Sequence, residues 1–342
     1  MAMSNKTMQK MQPKKEAMPK VRWISLVVAV VVLVSLPFWG GDYIVNIFTL
    51  ILMYMAIGEM WNLLAGYAGL VSLGAQAFIG LGGYSLAMIS QVFKLPFLLG
   101  FLLAAVVSVV FALIISFPIF NMKDVYFTIG TWLVAEALCV FFQTWGFVNY
   151  NVGYNITVAR RLSSTSVYFI AFGVGLIALL AVVFILRSKF GLGLMAMRDN
   201  EAASEIRGVK LYKSKLICFL ISSAITGVAG AALYLNLAYI KPTVGFGIDW
   251  TVSMVFITVI GGMGTIEGPI IGSIIFVILR QLLYNFSGFS MLILGVIAVV
   301  MILVAPKGIM GLINNKTGFD LFGVKRKVKI SDFAGIDAAS AE

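Results

Sequence analysis

Residues 197–215 read MRDNEAASEIRGVKLYKSK, a densely charged run inside a chain whose other internal segments are mostly apolar. Of the 342 residues, 61% are hydrophobic and 11% are charged, and the mean hydropathy is +1.02. A folded chain of this composition belongs in a lipid bilayer. The charged run is therefore expected to lie at the membrane surface between apolar spans.

The apolar segments on both sides of this run are long enough to cross a bilayer, which takes about 20 residues each. The sequence predicts an all-α, polytopic transmembrane bundle of about eight to ten spans, some of them broken or half-membrane helices. Two segments are doubtful as full crossings, because glycines interrupt residues 68–92 and because 249–261 is short. The candidate spans are 21–39, 43–64, 68–92, 96–120, 125–146, 165–187, 214–238, 249–261, 269–284 and 289–305.

The basic residues form three clusters, which indicate the orientation of the chain. Residues 1–22 hold six Lys/Arg against one acid, residues 188–215 six against three, and residues 305–342 six against four. The positive-inside rule places all three in the cytoplasm. This pattern predicts a basic cytoplasmic N-terminus at 1–20, a membrane domain at 21–305 with a cytoplasmic loop at 188–213, and a cytoplasmic tail at 306–342.

The composition also excludes several function classes. The chain has no histidine, which removes histidine-based catalysis and the common zinc motifs. Cys139 and Cys218 both lie in apolar segments and are expected to be reduced packing residues. The net charge of +11 is clustered at membrane borders rather than interleaved with aromatic residues, so membrane lipid and not nucleic acid is expected beside it. The sequence therefore predicts no catalytic residue, no metal site and no enzyme.

A glycine-rich stretch, WNLLAGYAGLVSLGAQAFIGLGGY at 61–84, interrupts one apolar segment. Its glycines allow close helix packing, and they also allow a helix to break where the freed backbone lines a cavity. Both interpretations remain open from the sequence. Its expected structural turns are Gly66, Gly69 and Gly74.

A second glycine-rich stretch, VIGGMGTIEGPIIGS at 259–273, predicts a tight helix-turn-helix on the cytoplasmic face. Thr265 is expected to cap the second helix, and Glu267 is expected to be a first-turn charge rather than a buried ligand. Asp249 is likewise expected to be an N-cap. The structural residues of this turn are Gly262, Gly264 and Pro269.

Two acids, Glu59 and Glu136, fall at membrane depth, where an ionised carboxylate is costly unless it is paired or hydrated. Each is either a functional group or a hydrogen-bonding group that fixes helix packing. Polar side chains in the same segments are candidates for a translocation pathway. The pathway candidates are Asn62, Ser72, Gln76, Thr131 and Glu136.

Within the charged run, the pattern predicts a short amphipathic helix. Asn200 or Asp199 is expected to cap it, and Gly208 is expected to end it. Ala202, Ala203 and Ile206 form a narrow apolar stripe at i, i+1, i+4 spacing. Because this stripe is too small to bury much area in lipid, it favours docking in the groove of a partner protein.

Several motifs occur in an order that resembles a known family. Besides RDNEAASEIRGVKLYKSK, they are GYAGLVSLGAQAFIGLGGY at 66–84, YFTIGTWLVAE at 126–136, IGGMGTIEGPIIG at 260–272 and APKGIMGL at 305–312. Together they are similar to ABC importer permeases, specifically the branched-chain amino acid permease family of the high-affinity Liv system and its M-type subunits. One outer element departs from that pattern, since VNYNVGYN at 148–155 stands where a glycine-rich motif is usual, which leaves the solute open.

The resemblance implies a permease subunit in a bacterial inner membrane, importing branched-chain or related amino acids. Its implied partners are a homologous permease subunit, two cytoplasmic ATPase subunits that bind ATP and Mg, and an extracytoplasmic solute-binding protein. This chain itself is expected to bind no cofactor, and it contains no Walker A motif. The residues expected to couple it to the ATPases are Arg198, Asp199, Asn200, Glu201, Ala202, Ala203, Ile206 and Gly208.

Other functions remain open. The same type of machine could import urea, short amides, aromatic acids or nucleosides. From a different class, an ion-coupled secondary transporter would use Glu59 and Glu136 as coupling carboxylates. The charged run favours the ABC importer, because a carrier that works alone needs no docking helix.

Overall fold

The computed structural model describes residues 19–284, 289–305 and 308–317. The predicted N-terminus at 1–20 and the predicted tail at 306–342 therefore lie mostly outside the described residues. The chain divides into two units, residues 1–45 and 46–342, and each is considered by itself.

The described residues are almost entirely helical. The helices are α1 Pro19–Trp39, α2 Asp42–Asn62, α3 Gln76–Ala87, α4 Phe97–Ile119, α5 Asp124–Thr144, α6 Ser164–Arg187, α7 Lys189–Asp199, α8 Glu201–Ile206, α9 Leu211–Leu237, α10 Pro242–Gly245, α11 Asp249–Gly261, α12 Glu267–Leu282, α13 Ser290–Val304 and α14 Gly308–Thr317. Single π-helical turns extend α2 over Leu63–Tyr67 and α3 over Met88–Val92. Two short strands, β1 Tyr154–Asn155 and β2 Tyr239–Ile240, pair antiparallel.

The predicted all-α transmembrane bundle is confirmed. Seven stretches of the described residues are long and apolar enough to cross a membrane: Asp42–Tyr67, Phe97–Ile119, Asp124–Thr144, Ser164–Arg187, Leu211–Leu237, Pro242–Gly261 and Leu292–Asn314. The segment 249–261, doubtful in the sequence, belongs to one of these because α10 precedes it. The helices α3 and α12 are shorter, as is the apolar stretch Val27–Trp39 within α1, so the predicted range of eight to ten depends on these three.

The core of residues 46–342 forms where α3, α4 and α9 touch through small residues. A Cβ placed on Gly82 would lie 1.9 Å from the carbonyl oxygen of Gly227, and one on Gly230 would lie 2.5 Å from that of Ile79. On its other side, Gly227 faces the hydroxyl of Ser108 on α4. Because lipid tails provide no hydrophobic drive between helices, such close backbone contacts are what hold membrane helices together.

The first glycine-rich stretch breaks its helix. Residues 68–75 are not helical, and α3 begins only at Gln76, so the segment 68–92 is not one continuous span. Gly69 has φ of +74°, a conformation that favours glycine, and Gly74 has no room for a Cβ because the carbonyl oxygen of Thr131 would be 2.1 Å away. The predicted turns at Gly69 and Gly74 thus have distinct causes, one in backbone conformation and one in packing.

The second glycine-rich stretch forms the predicted helix-turn-helix, with two corrections to its capping. The Thr265 hydroxyl donates to the carbonyl oxygen of Gly262 at 2.7 Å, so Thr265 stabilises the turn and does not cap α12. Asp249 is the first residue of α11 and makes no cap, because Ile248 occupies that position. The turn itself is tight: a Cβ on Gly261 would lie 1.9 Å from the carbonyl oxygen of Gly268.

Candidate functional site

The charged loop, residues 188–213, contains two short helices with side-chain caps. The Ser188 hydroxyl accepts from the Gly191 backbone N–H at 3.3 Å at the start of α7. Between α7 and α8 the backbone is extended at Asn200, whose side-chain oxygen accepts from the Ala203 N–H at 2.9 Å. After α8, Gly208 has φ of +86°. Asn200 is therefore the predicted cap and Gly208 the predicted stop, while Asp199 ends α7.

The outward face of α8 carries an apolar stripe that is uncovered. Ala202 and Ala203 are exposed, and the Ile206 side chain is 88% exposed. Ser204 points the other way and is buried, with its hydroxyl donating to the Glu201 carbonyl oxygen at 2.7 Å. The predicted stripe thus exists, and among the described residues nothing covers it.

The inward face of the charged loop is bonded to the helix bundle through Arg198. Its Nη1 donates to the carbonyl oxygen of Gly66 at 2.7 Å, across 132 positions of sequence. Its Nε and Nη2 donate to Asp199 Oδ1 at 3.0 and 2.8 Å. Gly69 lies against the same residue, since a Cβ there would be 3.2 Å from the Arg198 Cα. Because its guanidinium donates both to Gly66 and to Asp199, Arg198 holds the loop against the first helix break.

An ion pair makes a second link between the loop and the bundle. Glu201 Oε1 lies 2.6 Å from Lys215 Nζ, at the start of α9. Both residues line a cavity of about 630 Å³. Its other walls come from the first helix break, the end of α4 and the start of α5: Gly69, Leu70, Val71, Phe120, Met122, Lys123, Asp124, Val125, Phe127 and Thr128.

Asn62, the last residue of α2, connects the first helix break to the turn between α11 and α12. Its Nδ2 donates to the carbonyl oxygen of Thr265 at 2.8 Å, and its Oδ1 accepts from the Gly264 N–H at 2.8 Å. Gly66 packs beside it, since a Cβ would lie 2.3 Å from Asn62 Oδ1 and 2.7 Å from the Gly264 nitrogen. Arg198 also approaches Gly264. Four of these residues form one compact cluster, called here the junction: Asn62, Gly66, Arg198 and Gly264.

Three of the predicted pathway residues lie in or next to the first break. Ser72, Gln76 and Thr131 are all buried. The Thr131 hydroxyl accepts from the Leu73 N–H at 3.1 Å, and the Ser72 hydroxyl accepts from the Gly74 N–H at 3.2 Å. Gln76 Oε1 accepts from Thr251, while its Nε2 has no hydrogen-bond partner among the described residues.

Asn62, the fourth pathway candidate, belongs to the junction, whereas the fifth, Glu136, lies elsewhere and differs from Glu59. Glu59 on α2 is fully buried, and neither carboxylate oxygen has a hydrogen-bond partner among the described residues. Glu136 on α5 is exposed. No described hydrogen bond joins the two acids, so they do not form a paired-carboxylate site. Glu267, at the start of α12, is buried as well.

The sequence did not single out two contacts that the structure contains. The hydrogen bond from Arg198 to Gly66 joins residues 132 positions apart, so no local sequence signal could have shown it. Arg280 in the last turn of α12 donates to the Tyr54 hydroxyl, and its guanidinium lies 5.6 Å from the centre of the Tyr54 ring. No group of three or more His, Cys, Asp or Glu side chains among the described residues could hold a metal ion.

Comparison with known sequences identifies the family of this chain. The profile of the family described as "Branched-chain amino acid transport system / permease component" matches residues 43–305. The chain belongs to this family. It is therefore a multi-pass membrane protein of the ABC permease type.

The relatives give a narrower comparison. The high-affinity branched-chain amino acid transport permease LivM of Salmonella typhimurium is 27% identical over 315 residues, covering 83% of this chain and 74% of LivM. LivM of Escherichia coli is 25% identical over 317 residues, with the same coverage. The nucleoside ABC transporter permease NupC of Lactococcus lactis is 26% identical over 205 residues, covering 53% of this chain and 62% of NupC. No solved structure gives a significant match.

Proposed function

We propose that this chain is the membrane-spanning subunit of an ABC importer in a bacterial cytoplasmic membrane, driven by separate ATPase subunits through α8. The observation that carries the proposal is the contrast between the two faces of the charged loop. The outward face leaves Ala202, Ala203 and Ile206 uncovered, while the inward face is bonded to the bundle through Arg198. Such a loop can receive a partner on one side and transmit its motion on the other.

The positive-inside rule supports placing this loop in the cytoplasm, where ATPase subunits are found. The partners of the proposed complex are two ATPases that hold ATP and Mg, a second permease of the same family and an extracytoplasmic solute-binding protein. In this complex the described chain supplies no covalent chemistry. It binds the ATPases through α8, transmits their movement through the junction and changes the accessibility of a pathway.

Branched-chain and related amino acids are the proposed solutes, because both LivM relatives are aligned over most of this chain. A nucleoside is the second candidate, which the partial similarity to NupC favours. An ion-coupled carrier is less well supported, since Glu59 is buried and Glu136 is exposed on another helix, without a shared site.

The test is uptake of radiolabelled leucine into proteoliposomes that contain the binding protein. We expect uptake only when the chain is reconstituted with its permease partner, both ATPases and ATP. Uptake by this chain alone under a proton or sodium gradient would overturn the proposal. Uptake of a nucleoside but not leucine by the complete complex would keep the mechanism and replace the solute.

A further inference from the structure

Glu136 has an unusual position on its helix. Among the described residues, it is the one exposed charged side chain far from both ends of a continuous α-helix long enough to span; the exposed Asp249, inside the stretch Pro242–Gly261, is the first residue of α11. Charged side chains on the other spanning helices lie near helix ends or, like Glu59, are buried. Glu136 is twelve residues from the start of α5, about 18 Å along the helix at 1.5 Å per residue. In a hydrocarbon core about 30 Å thick, this is near mid-depth.

Lipid is an unfavourable neighbour for this group. An ionised carboxylate that faces hydrocarbon is strongly disfavoured, and such residues usually face a water-filled space or another protein group. Within the part of the chain that the structure describes, Glu136 makes no hydrogen bond or ion pair. The group that stabilises its charge therefore comes from outside these residues.

The exposed face of α5 connects Glu136 to the cavity beside the charged loop. Val125 and Thr128, at the start of α5, line that cavity of about 630 Å³. Val125 precedes Glu136 by eleven residues, and eleven steps of about 100° bring a helix almost back to the same face. Val125 is exposed, as are the residues between it and Glu136 on this face, Ile129 and Trp132. The cavity and the carboxylate thus lie along one uncovered face.

The immediate neighbours of Glu136 indicate what it would bind. Trp132 and Val140 lie one turn away on either side, at i−4 and i+4, and both are exposed. An aromatic ring attracts a cation over its face, and a carboxylate attracts the same cation through charge. The aliphatic side chain of Val140 beside them can contact a small apolar group. These three side chains together match a primary ammonium group carried on a short hydrocarbon chain.

We propose that Glu136, flanked by Trp132 and Val140, binds the ammonium group of an amino acid solute during its passage along α5. This inference rests on the proposed function, because it requires that a solute cross the membrane beside this chain. A basic side chain of the second permease subunit is the competing partner for the carboxylate. The solute and the second permease are distinguished by whether replacing Glu136 changes solute uptake or separates the two permease subunits.

The first test is leucine uptake by the complete complex carrying Glu136→Gln, which removes the charge with little change in shape. Uptake is expected to fall at least tenfold, with both permeases and both ATPases still co-purifying. The matched control is Asp249→Asn, an exposed acid at the first residue of α11, which is expected to leave uptake unchanged.

The outcomes separate this inference from the proposed function. If the wild-type complex takes up no leucine, the amino acid solute of the proposed function and this site both fail. If the wild type takes up leucine and Glu136→Gln does so equally well, the site alone fails. If Glu136→Gln separates the two permeases, the carboxylate belongs to subunit pairing, and the site is again overturned.

A labelling experiment tests the site without relying on transport rates. Val140→Cys, in a chain whose buried Cys139 and Cys218 are replaced by serine, is expected to react with a water-soluble cationic methanethiosulfonate. Leucine should slow the reaction several-fold, and this protection should disappear when Glu136→Gln is added. Leu102→Cys, on the exposed face of α4, is the lipid-facing control and should stay unreactive. An unreactive Val140→Cys, or protection that persists without the carboxylate, contradicts the proposal.

Discussion

On its inward side the charged loop is bonded to the helix bundle, whereas on its outward side α8 leaves apolar side chains uncovered. Inward, Arg198 donates to the Gly66 carbonyl oxygen and Glu201 pairs with Lys215. Outward, Ile206 is 88% exposed and Ala202 is exposed beside it. A surface helix of only six residues has little stability of its own, so its order comes from the inward bonds. The outward side is left free for a partner.

Movement of the charged loop would pass into the bundle at the junction. The inward bonds end at the junction, where the carbonyl oxygen of Gly66 and the backbone of Gly264 meet Asn62 and Arg198. Gly66 lies in the π-helical turn just before the first break, and Gly264 lies in the turn between α11 and α12, so a displacement of the charged loop would reach both places at once. Broken helices at such points can tilt their two halves separately.

The largest effect is expected at the junction itself. Gly66→Ala would place a methyl group 2.3 Å from Asn62 Oδ1 and 2.7 Å from the Gly264 backbone nitrogen. Overpacking of this kind costs about 1–3 kcal/mol or more, because backbone atoms have to move. We expect a clear loss of thermal stability, measured by size-exclusion chromatography after heating in detergent. Gly173→Ala, where nothing lies within 4 Å, is the control and should behave as wild type.

A bulky side chain on the outward face of α8 tests whether this face binds the ATPase subunits. Ala202→Trp should reduce co-purification of the ATPase subunits at least tenfold while the chain still inserts in the membrane, because a large ring prevents close approach of a groove. Ala202→Ser keeps the small size and should keep the association. Equal ATPase recovery from Ala202→Trp would show that this face contacts lipid or water.

Removing the hydrogen bond between Arg198 and Gly66 tests whether the inward face of the loop transmits movement to the bundle. Arg198→Ala deletes the contact with Gly66 but leaves the apolar stripe of α8 in place. We expect the ATPases to remain bound and leucine uptake per ATP hydrolysed to fall several-fold. The exposed Arg207→Ala is the matched control. A normal ratio of uptake to ATP hydrolysis in Arg198→Ala would contradict the role of the inward face in transmitting movement.

The smallest effect is expected from the ion pair. Glu201 is half exposed in its pair with Lys215, so the pair is partly screened by water and salt. Glu201→Gln should change the free energy of unfolding by about 0.2–1 kcal/mol. A thermal-shift assay at low and high salt measures this, and the difference from wild type should shrink as salt rises. A large, salt-independent loss would mean that Glu201 has a structural role of its own.

Local patterns predicted the local structure well. The cap at Asn200, the stop at Gly208 and the exposed stripe of α8 depend on residues within a few positions of one another, and all are present. Hydropathy predicted the membrane spans for the same reason, because it depends on consecutive residues. Thr265 and Asp249 are the exceptions among the caps. The Thr265 hydroxyl donates back to Gly262 instead of accepting from α12, and Asp249 begins α11 after the cap position at Ile248; competition of this kind is not visible in a pattern.

Long-range features could not be predicted in the same way. Residues 68–75 leave the helix because Gly74 must fit against the Thr131 carbonyl oxygen and Leu73 must reach the Thr131 hydroxyl, contacts set by the position of α5. Arg198 meets Gly66 only after the bundle has formed. The exposure of Glu136 also depends on which helices pack against α5. These features depend on tertiary geometry, whereas the predicted ones depend on sequence spacing.

Photo-crosslinking from the outward face tests most directly whether α8 is where this chain meets its ATPases. A p-benzoylphenylalanine in place of Ile206, in membranes that contain the whole complex, is expected to form an adduct with an ATPase subunit. The same group in place of Leu237, at the far end of α9 and also exposed, should form none. An ATPase adduct from position 206 alone is the predicted result. Adducts only to lipid or to this chain itself at position 206 would contradict coupling through α8.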